Sequence, residues 1–221
     1  MDKKILRPNI DMGETLQAVL KEEKKSLVLK KTLSLFLAFG IRAVSMKDIS
    51  DTLGMSKKTL YMYFSTKEML LEACIKSLVK EQLQEISAIE NMPISRIEKV
   101  CLIYKSSLRN IANQHSSFYN DMRRDYPNID KVYTDMYRDF LNNRIFNMLS
   151  ESQRNNEVLE GIDLDLFCQI HLFKLKEFFS NKDIHQKNRQ ERILNHSIAI
   201  SLRGILRNPD SIDWDLGDYL N

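Results

Sequence analysis

Apolar residues recur along most of the chain at the three- and four-residue spacing of amphipathic helices. One-by-one alternation of apolar and polar residues between turn signals, which half-buried strands require, is not found. The chain is therefore predicted to be all-α, with glycine and proline residues where the helical patterns stop. The predicted helices cover residues 27–39, 46–53, 57–64, 66–91, 94–113, 117–125, 128–151, 163–180 and 184–207. The segment before residue 27 is either a separate helix or an extension of the first one.

Capping residues define two short helices near residue 50. Ser45 and Asp48 have the spacing of a capping box, which opens a helix, and Gly54 can adopt the positive φ that follows a helix end. Ser56 is an N-cap candidate for a second helix, so a turn of only three to four residues separates the two. Residues 65–68 have capping-box spacing again, so a third helix is expected to begin there. This pattern predicts a helix-turn-helix.

The second of these helices has a cationic and aromatic outer face. With Leu60 and Phe64 turned inward, Lys57 and Tyr61 share the opposite face, four residues apart. In a DNA major groove, lysines bind base edges or phosphates, and tyrosine hydroxyls donate to phosphates. The DNA-binding candidates in and beside this helix are Ser56, Lys57, Lys58, Thr59, Tyr61, Tyr63 and Lys67. A phosphate near Lys67 would offset the unfavourable position of a cation at a helix N-terminus.

The charge distribution restricts this interpretation to one part of the chain. The net charge is +3, but residues 1–67 contain 13 Lys and Arg against 7 Asp and Glu, a balance of +6. The remaining residues are net negative, so only the N-terminal third suits a polyanion. An isolated pair of lysines would more simply be a solvated basic face. Within a capped helix-turn-helix, we interpret the pair as a DNA-binding feature.

The segment VSMKDISDTLGMSKKTLYMYFSTKEMLLEA, residues 44–73, resembles the DNA-binding domain of the TetR family of transcriptional regulators. It has the family's Leu-Tyr-x-x-Phe signature and the Lys-Glu start of the connecting helix, and the resemblance extends over about residues 27–75. It implies that Ser45 and Lys47 also face DNA. It further implies an N-terminal extension over 1–26, a DNA-binding domain over 27–70, and a helical ligand-binding and dimerisation domain over 71–221.

The resemblance also implies a homodimer and a small-molecule effector. The last two predicted helices would form the dimer interface, and a charge at Ile198 or Leu202 is expected to dissociate it. An effector pocket, for a mostly apolar or aromatic molecule, is predicted among the residues Phe118, Met122, Tyr126, Tyr137 and His171. For each aromatic residue, ordinary helix core is the alternative. The helix over 66–91 would connect this pocket to the DNA-binding helix.

Signals for other chemistry are weak. The sequence has no metalloprotease, phosphate-loop or hydrolase motif, so we expect neither an enzyme nor a cofactor. Cys168 and His171 share a helix face, but two ligands do not make a metal site, and Asp163 is expected to cap a helix. We expect a cytoplasmic repressor with no membrane association that binds a two-fold related DNA site. An interaction protein that keeps the fold but binds other proteins is the alternative.

Overall fold

The computed structural model describes residues 12–112, 116–180 and 192–214 of the 221-residue chain. Its helices are α1 (Met12–Phe39), α2 (Met46–Thr52), α3 (Lys57–Tyr63), α4 (Lys67–Glu90), α5 (Arg96–Ala112), α6 (Ser116–Asp125), α7 (Pro127–Arg154), α8 (Leu164–Ser180) and α9 (Ile200–Ile205). A π-helical turn, Leu194–Ala199, leads directly into α9. In these residues, extended pairing is confined to an isolated bridge between Val158 and Leu206. The all-α prediction is confirmed, while residues 184–191 of the last predicted helix lie outside the described residues.

The first helix settles the question about the segment before residue 27. From Met12 onwards, α1 is one continuous helix, so the extension is the correct alternative. The helix ends because Gly40 takes a φ of +85°, which only glycine adopts without strain. Its amide donates to the carbonyl of Phe36 at 2.9 Å. The chain then turns directly into the helix-turn-helix.

Buried apolar residues form two clusters, and α4 crosses from one to the other. The N-terminal cluster joins α1 to α4 with α6 and the start of α7. The C-terminal cluster joins the end of α4 with α5, the end of α7, α8 and α9. Along α4, Leu70 to Val79 belong to the first cluster, and Ile86 and Ile89 belong to the second. The predicted domain boundary at residue 70 therefore falls within a continuous helix.

Local capping explains where several of the longer helices begin. Ser95 and Glu98 form a capping box before α5, with the Ser95 amide donating to Glu98 Oε2 at 2.8 Å. Asp163 Oδ1 accepts from the Leu166 amide at 3.0 Å, so its predicted role as the cap of α8 is confirmed. None of the helices in the described ranges is long and apolar enough to cross a membrane.

In the last helices, the exposed apolar residues are not the ones that the sequence analysis assigned to the dimer interface. Ile198 and Leu202 are buried in the C-terminal cluster, so a charge there would disrupt the interior of one chain. The prediction that these two side chains form the dimer interface is wrong. The reason is that both helices carry apolar residues on two faces, and the face of Ile198 and Leu202 packs inward. Among the side chains that the structure describes in this region, the large apolar ones that remain exposed are Leu166, Ile170 and Phe173 on α8, and Ile200 on α9.

Candidate nucleic-acid interface

The helix α2 is fixed by the capping box that the sequence predicts. The Asp48 amide donates to Ser45 Oγ at 3.2 Å, and the Ser45 amide donates to Asp48 Oδ2 at 2.8 Å. The Ser45 hydroxyl also donates to Asp48 Oδ2, at 2.6 Å, and this bond, together with the one from the Ser45 amide, lowers the pKa of Asp48. Met46 and Ile49 are buried and anchor the helix on the N-terminal cluster. Lys47, between them, is exposed.

The helix α3 begins at Ser56, as predicted. Ser56 Oγ accepts from the Thr59 amide at 3.1 Å and lies 2.9 Å from the Thr59 hydroxyl, so the two candidate hydroxyls bond to each other. Leu60 and Phe64 are buried, and they orient the helix. The turn before it contains Gly54, whose φ of +62° ends α2. The predicted helix-turn-helix is therefore present, with the length and caps inferred from the sequence.

The outer face of α3 is open to solvent. Lys57 and Lys58 are exposed, and Tyr61 retains 46% of its accessible surface. In the described part of the chain, neither lysine forms an ion pair or a side-chain hydrogen bond. Tyr63 differs, because its ring is half-buried against the N-terminal cluster. The face can therefore offer two free ammonium groups and one free tyrosine to a ligand.

The sequence analysis missed Met62, which is 79% exposed and lies beside Lys58 at the edge of this face. It lies one turn after Lys58, so the same helical spacing that grouped Lys57 with Tyr61 could have identified it. A thioether side chain is apolar and flexible, which suits contact with a thymine methyl group or a sugar.

The start of α4 differs from the prediction by one residue. Thr66, rather than Ser65, is the N-cap, because its hydroxyl accepts from the Met69 amide at 3.1 Å. The Ser65 hydroxyl instead contacts the Met69 sulfur at 3.0 Å. The capping box predicted over residues 65–68 is therefore wrong, although the helix begins where expected.

Lys67 has a different environment from the lysines of α3. Its ammonium donates to the backbone carbonyl of Ile41 at 2.6 Å and lies 5.7 Å from the centre of the Phe36 ring. Burial lowers its pKa, against the opposing effect of nearby carboxylates, the largest from Asp121. In this structure the side chain joins α4 to the turn after α1, so a substitution of Lys67 affects stability as well as any phosphate contact.

The same turn is held from the other side by α6. The backbone amide of Arg42 donates to Asp121 Oδ2 at 2.8 Å, across 79 residues of sequence. A β-carbon on Gly40 would lie 2.8 Å from Ser117 Oγ and 3.0 Å from Asp121 Oδ2. The glycine therefore permits α6 to pack closely on the turn that precedes the helix-turn-helix. We call this contact, formed by Gly40, Arg42, Ser117 and Asp121, the α6 contact.

The residues predicted to line an effector pocket fall into different regions. Phe118 and Met122 are fully buried in the N-terminal cluster, and Tyr126 packs against its edge. His171 is buried beside the C-terminal cluster, 4.1 Å from the Phe167 ring and 5.7 Å from the Tyr104 ring. The side chain of Tyr137 lies outside the described residues. The structure therefore does not join Phe118 and Met122 with His171 in one cluster.

Cys168 and His171 are both buried on α8. Burial raises the pKa of Cys168 to about 12, so this thiol is protonated at neutral pH. The described part of the chain has no group of three or more residues able to hold a metal ion.

Comparison with known proteins bears directly on this region. Residues 28–74 match the family model for bacterial regulatory proteins, tetR family. Over 74 residues the chain is 36% identical to YvaF, an uncharacterized HTH-type transcriptional regulator of Bacillus subtilis, covering 33% of this chain and 38% of that protein. Over 116 residues it is 24% identical to KstR2, an HTH-type transcriptional repressor of Mycolicibacterium smegmatis, covering 50% and 57%. The chain thus spans less than two thirds of the length of both relatives.

The likeness in fold extends further than the likeness in sequence. A TetR/AcrR-family transcriptional regulator from Thermobifida fusca superposes with a TM-score of 0.63 at 21% identity, covering 82% of this chain and 98% of that one. The helical fold after residue 74 is therefore similar to that of a solved regulator. The match over 28–74 and the similarity in fold both support the interpretation of residues 28–74 as a DNA-binding domain similar to that of the TetR family.

Proposed function

We propose that the protein is a DNA-binding repressor that binds a two-fold related operator through α3 and is released by a small-molecule effector. The observation that carries the proposal is the free outer face of α3, with unpaired Lys57 and Lys58 beside exposed Tyr61. The face lies within residues 1–67, which carry a net charge of +6, and this charge adds electrostatic attraction to a polyanion. Repression is supported by the name of KstR2 alone. Such a regulator acts in the compartment that holds its DNA, the cytoplasm.

Contacts to bases and phosphates are divided among these residues. Lys57, Lys58 and Tyr61 are assigned to base edges and phosphates in the major groove, and Lys47 to a phosphate beside it. Ser45, Ser56 and Thr59 have hydroxyls that already serve as caps or bond to each other, so they contribute through the helix ends they fix.

A second copy of the chain is proposed to cover the exposed apolar face of α8. Leu166, Ile170 and Phe173 are at the i, i+4 and i+7 positions of one helical stripe and retain 52%, 45% and 65% of their accessible surface. Ile200 on α9 is exposed as well, at 58%. Two half-sites about 34 to 36 Å apart require two helix-turn-helix domains at a fixed separation. A dimer supplies them.

Coupling between effector and DNA is proposed to run through α4 and the α6 contact. Lys67 and Asp121 bind the backbone of the same turn, at Ile41 and Arg42, from two different helices. A shift of either helix therefore moves the turn that enters α2. An effector that prefers the shifted state reduces operator affinity, and couplings of roughly 1 to 3 kcal/mol are typical of such systems.

The test is fluorescence anisotropy with DNA from upstream of the gene, as a function of salt concentration. We expect a steep salt dependence, and the Lys57→Ala variant should bind more weakly with a slope smaller by about one unit. Lys105→Ala, a lysine of α5 far along the sequence, is the control and should bind DNA like the wild type. Equal DNA affinity of the wild type and Lys57→Ala would refute the proposal that the outer face of α3 binds DNA.

A further inference from the structure

The methionine side chains that the structure describes differ widely in exposure. Met62 on α3 retains 79% of its accessible surface, and Met69 in the first turn of α4 retains 52%. The other methionines whose side chains are described are buried or half-buried: Met46, Met55, Met92, Met122 and Met148. Within the described part of the chain, the two exposed thioethers therefore both lie in or directly after the helix-turn-helix.

Met62 points away from the buried side of α3. It lies two residues from each of the buried side chains Leu60 and Phe64, and two residues are roughly half a turn of an α-helix. It follows Lys58 by one turn, so its thioether lies beside an exposed ammonium group. With α3 in a major groove, this side chain is directed at base edges and sugars rather than at the protein interior.

The cysteines do not compete with this thioether for an oxidant. Cys74, Cys101 and Cys168, the three cysteines of the chain, are all buried. Burial raises the pKa of each thiol to about 12. A thiol reacts as its thiolate, which is scarce at neutral pH in these environments. A thioether has no proton to lose, so its oxidation is governed by its exposure.

We propose that Met62 is a site of reversible oxidation to methionine sulfoxide, and that this modification weakens operator binding. The inference rests on the proposed function, because it makes the DNA affinity of α3 depend on the oxidation state of one side chain. The oxidant is hydrogen peroxide. One peroxide oxygen bonds to the sulfur as the O–O bond breaks, and the other leaves as water, so the sulfur loses the two electrons that the peroxide gains. Sulfoxide reductases reverse the change.

The modification changes the chemistry of the surface that faces DNA. A sulfoxide is polar, and its oxygen accepts hydrogen bonds but cannot donate them. Sugar and phosphate oxygens and thymine methyl groups offer it no hydrogen, so in the groove this oxygen loses its water without replacement. A hydrogen bond from the Lys58 ammonium, one turn away, would satisfy it but draw that cation from the DNA. A loss of about tenfold in affinity is expected for one unpaired polar group.

The first measurement follows oxidation in dilute hydrogen peroxide at neutral pH by peptide mass spectrometry. We expect Met62 to be oxidised first. Met69 should follow, because it is less exposed and its sulfur lies 3.0 Å from the Ser65 hydroxyl, and the fully buried Met122 should be last. DNA from upstream of the gene, added before the peroxide, should slow the oxidation of Met62. Oxidation of Met62 no faster than that of Met122 would overturn the assignment of this site.

The second measurement compares the affinity for the same DNA before and after the treatment, by fluorescence anisotropy. The wild type should lose about tenfold, as estimated for one unpaired polar group, and methionine sulfoxide reductase should restore the loss. Met62→Leu keeps an apolar side chain but has no sulfur, so its own affinity should be the same before and after peroxide. Met69→Leu is the matched control, and it should lose as much affinity as the wild type.

Two outcomes of this comparison overturn the proposal. One is a loss in Met62→Leu as large as that in the wild type. The other is an unchanged affinity of the wild type once mass spectrometry shows that Met62 is oxidised. Failure of the untreated wild type to bind DNA would instead refute the proposed function, so the two failures are distinguished.

Discussion

The α6 contact makes a quantitative prediction about glycine. In Gly40→Ala, the new β-carbon would approach Ser117 Oγ to 2.8 Å and Asp121 Oδ2 to 3.0 Å, at a φ of +85°. The left-handed backbone costs a residue with a β-carbon about 1 to 2 kcal/mol. Displacing α6 also weakens the partly buried hydrogen bond from the Arg42 amide to Asp121, which adds about 1 to 2 kcal/mol. The total loss of unfolding free energy is about 3 kcal/mol.

Gly54 supplies the matched control. It has a φ of +62°, but a β-carbon there meets no atom within 4 Å, so Gly54→Ala bears the backbone cost alone. For a chain of this size, 1 kcal/mol corresponds to about 3 °C in Tm. Thermal unfolding followed by circular dichroism should therefore show a loss of about 9 °C for Gly40→Ala and about 5 °C for Gly54→Ala.

A double substitution tests the assigned contact. Ser117→Ala removes the atom nearest to the new β-carbon, so it should recover about 1 kcal/mol in the Gly40→Ala background but not in the wild type. If the two glycine variants lost the same stability, α6 would not pack on this turn in solution. The proposed coupling through the α6 contact would then be refuted.

Three further predictions concern the lysines, the exposed apolar face and the buried histidine. Lys57→Ala should weaken DNA binding at an unchanged Tm, whereas Lys67→Ala should also lower the Tm by about 3 °C, because it loses one hydrogen bond to Ile41. In light scattering, Phe173→Glu should shift the mass from about twice 26.0 kDa towards one chain while the helices persist, and Ile198→Glu should unfold the chain. Because burial lowers the pKa of His171, the unfolded state takes up this proton first. Stability should therefore be constant above about pH 6.5 and fall below it, by at most about 1.4 kcal/mol per pH unit, and His171→Gln should reduce this slope.

Each of these predictions has a contradictory outcome. An unchanged Tm for Lys67→Ala would mean that its ammonium does not stabilise the turn. A dimeric Phe173→Glu variant would place the interface elsewhere. Identical pH profiles for the wild type and His171→Gln, in chemical denaturation, would show that this imidazole titrates normally.

The features predicted correctly from sequence are those set by neighbouring residues. The caps at Ser45 and Ser56 need only a side chain and the amide a few residues on, so spacing alone identifies them. The inward positions of Leu60 and Phe64 follow from helical periodicity, because α3 has one buried face. The exposed position of Lys57 and Tyr61 is the direct consequence.

The features that escaped prediction depend on packing between distant segments. In the last helices, apolar residues cover two faces, so periodicity cannot decide that Ile198 packs inward and Ile200 outward. The hydrogen bond between Arg42 and Asp121 joins residues 79 positions apart. In the sequence near Arg42, the one residue that indicates this close packing is Gly40. From the sequence, Lys67 is expected to be an exposed cation at the start of a helix. In the structure, its long aliphatic side chain allows the ammonium group to reach the Ile41 carbonyl. Sequence grouped Phe118 with His171 by aromatic character, whereas the fold assigns them to different regions.

The central claim is that the free face of α3 reads DNA, and mapping the binding sites of the protein across its own genome tests it most directly. The wild type and a Lys57→Ala, Lys58→Ala variant are expressed at equal levels, with circular dichroism confirming that both are folded. We predict discrete sites with two-fold related half-sites for the wild type, and loss of these sites in the variant. Sites occupied equally by the variant, or no discrete sites for the wild type, would contradict the assignment of α3 as the DNA-reading helix.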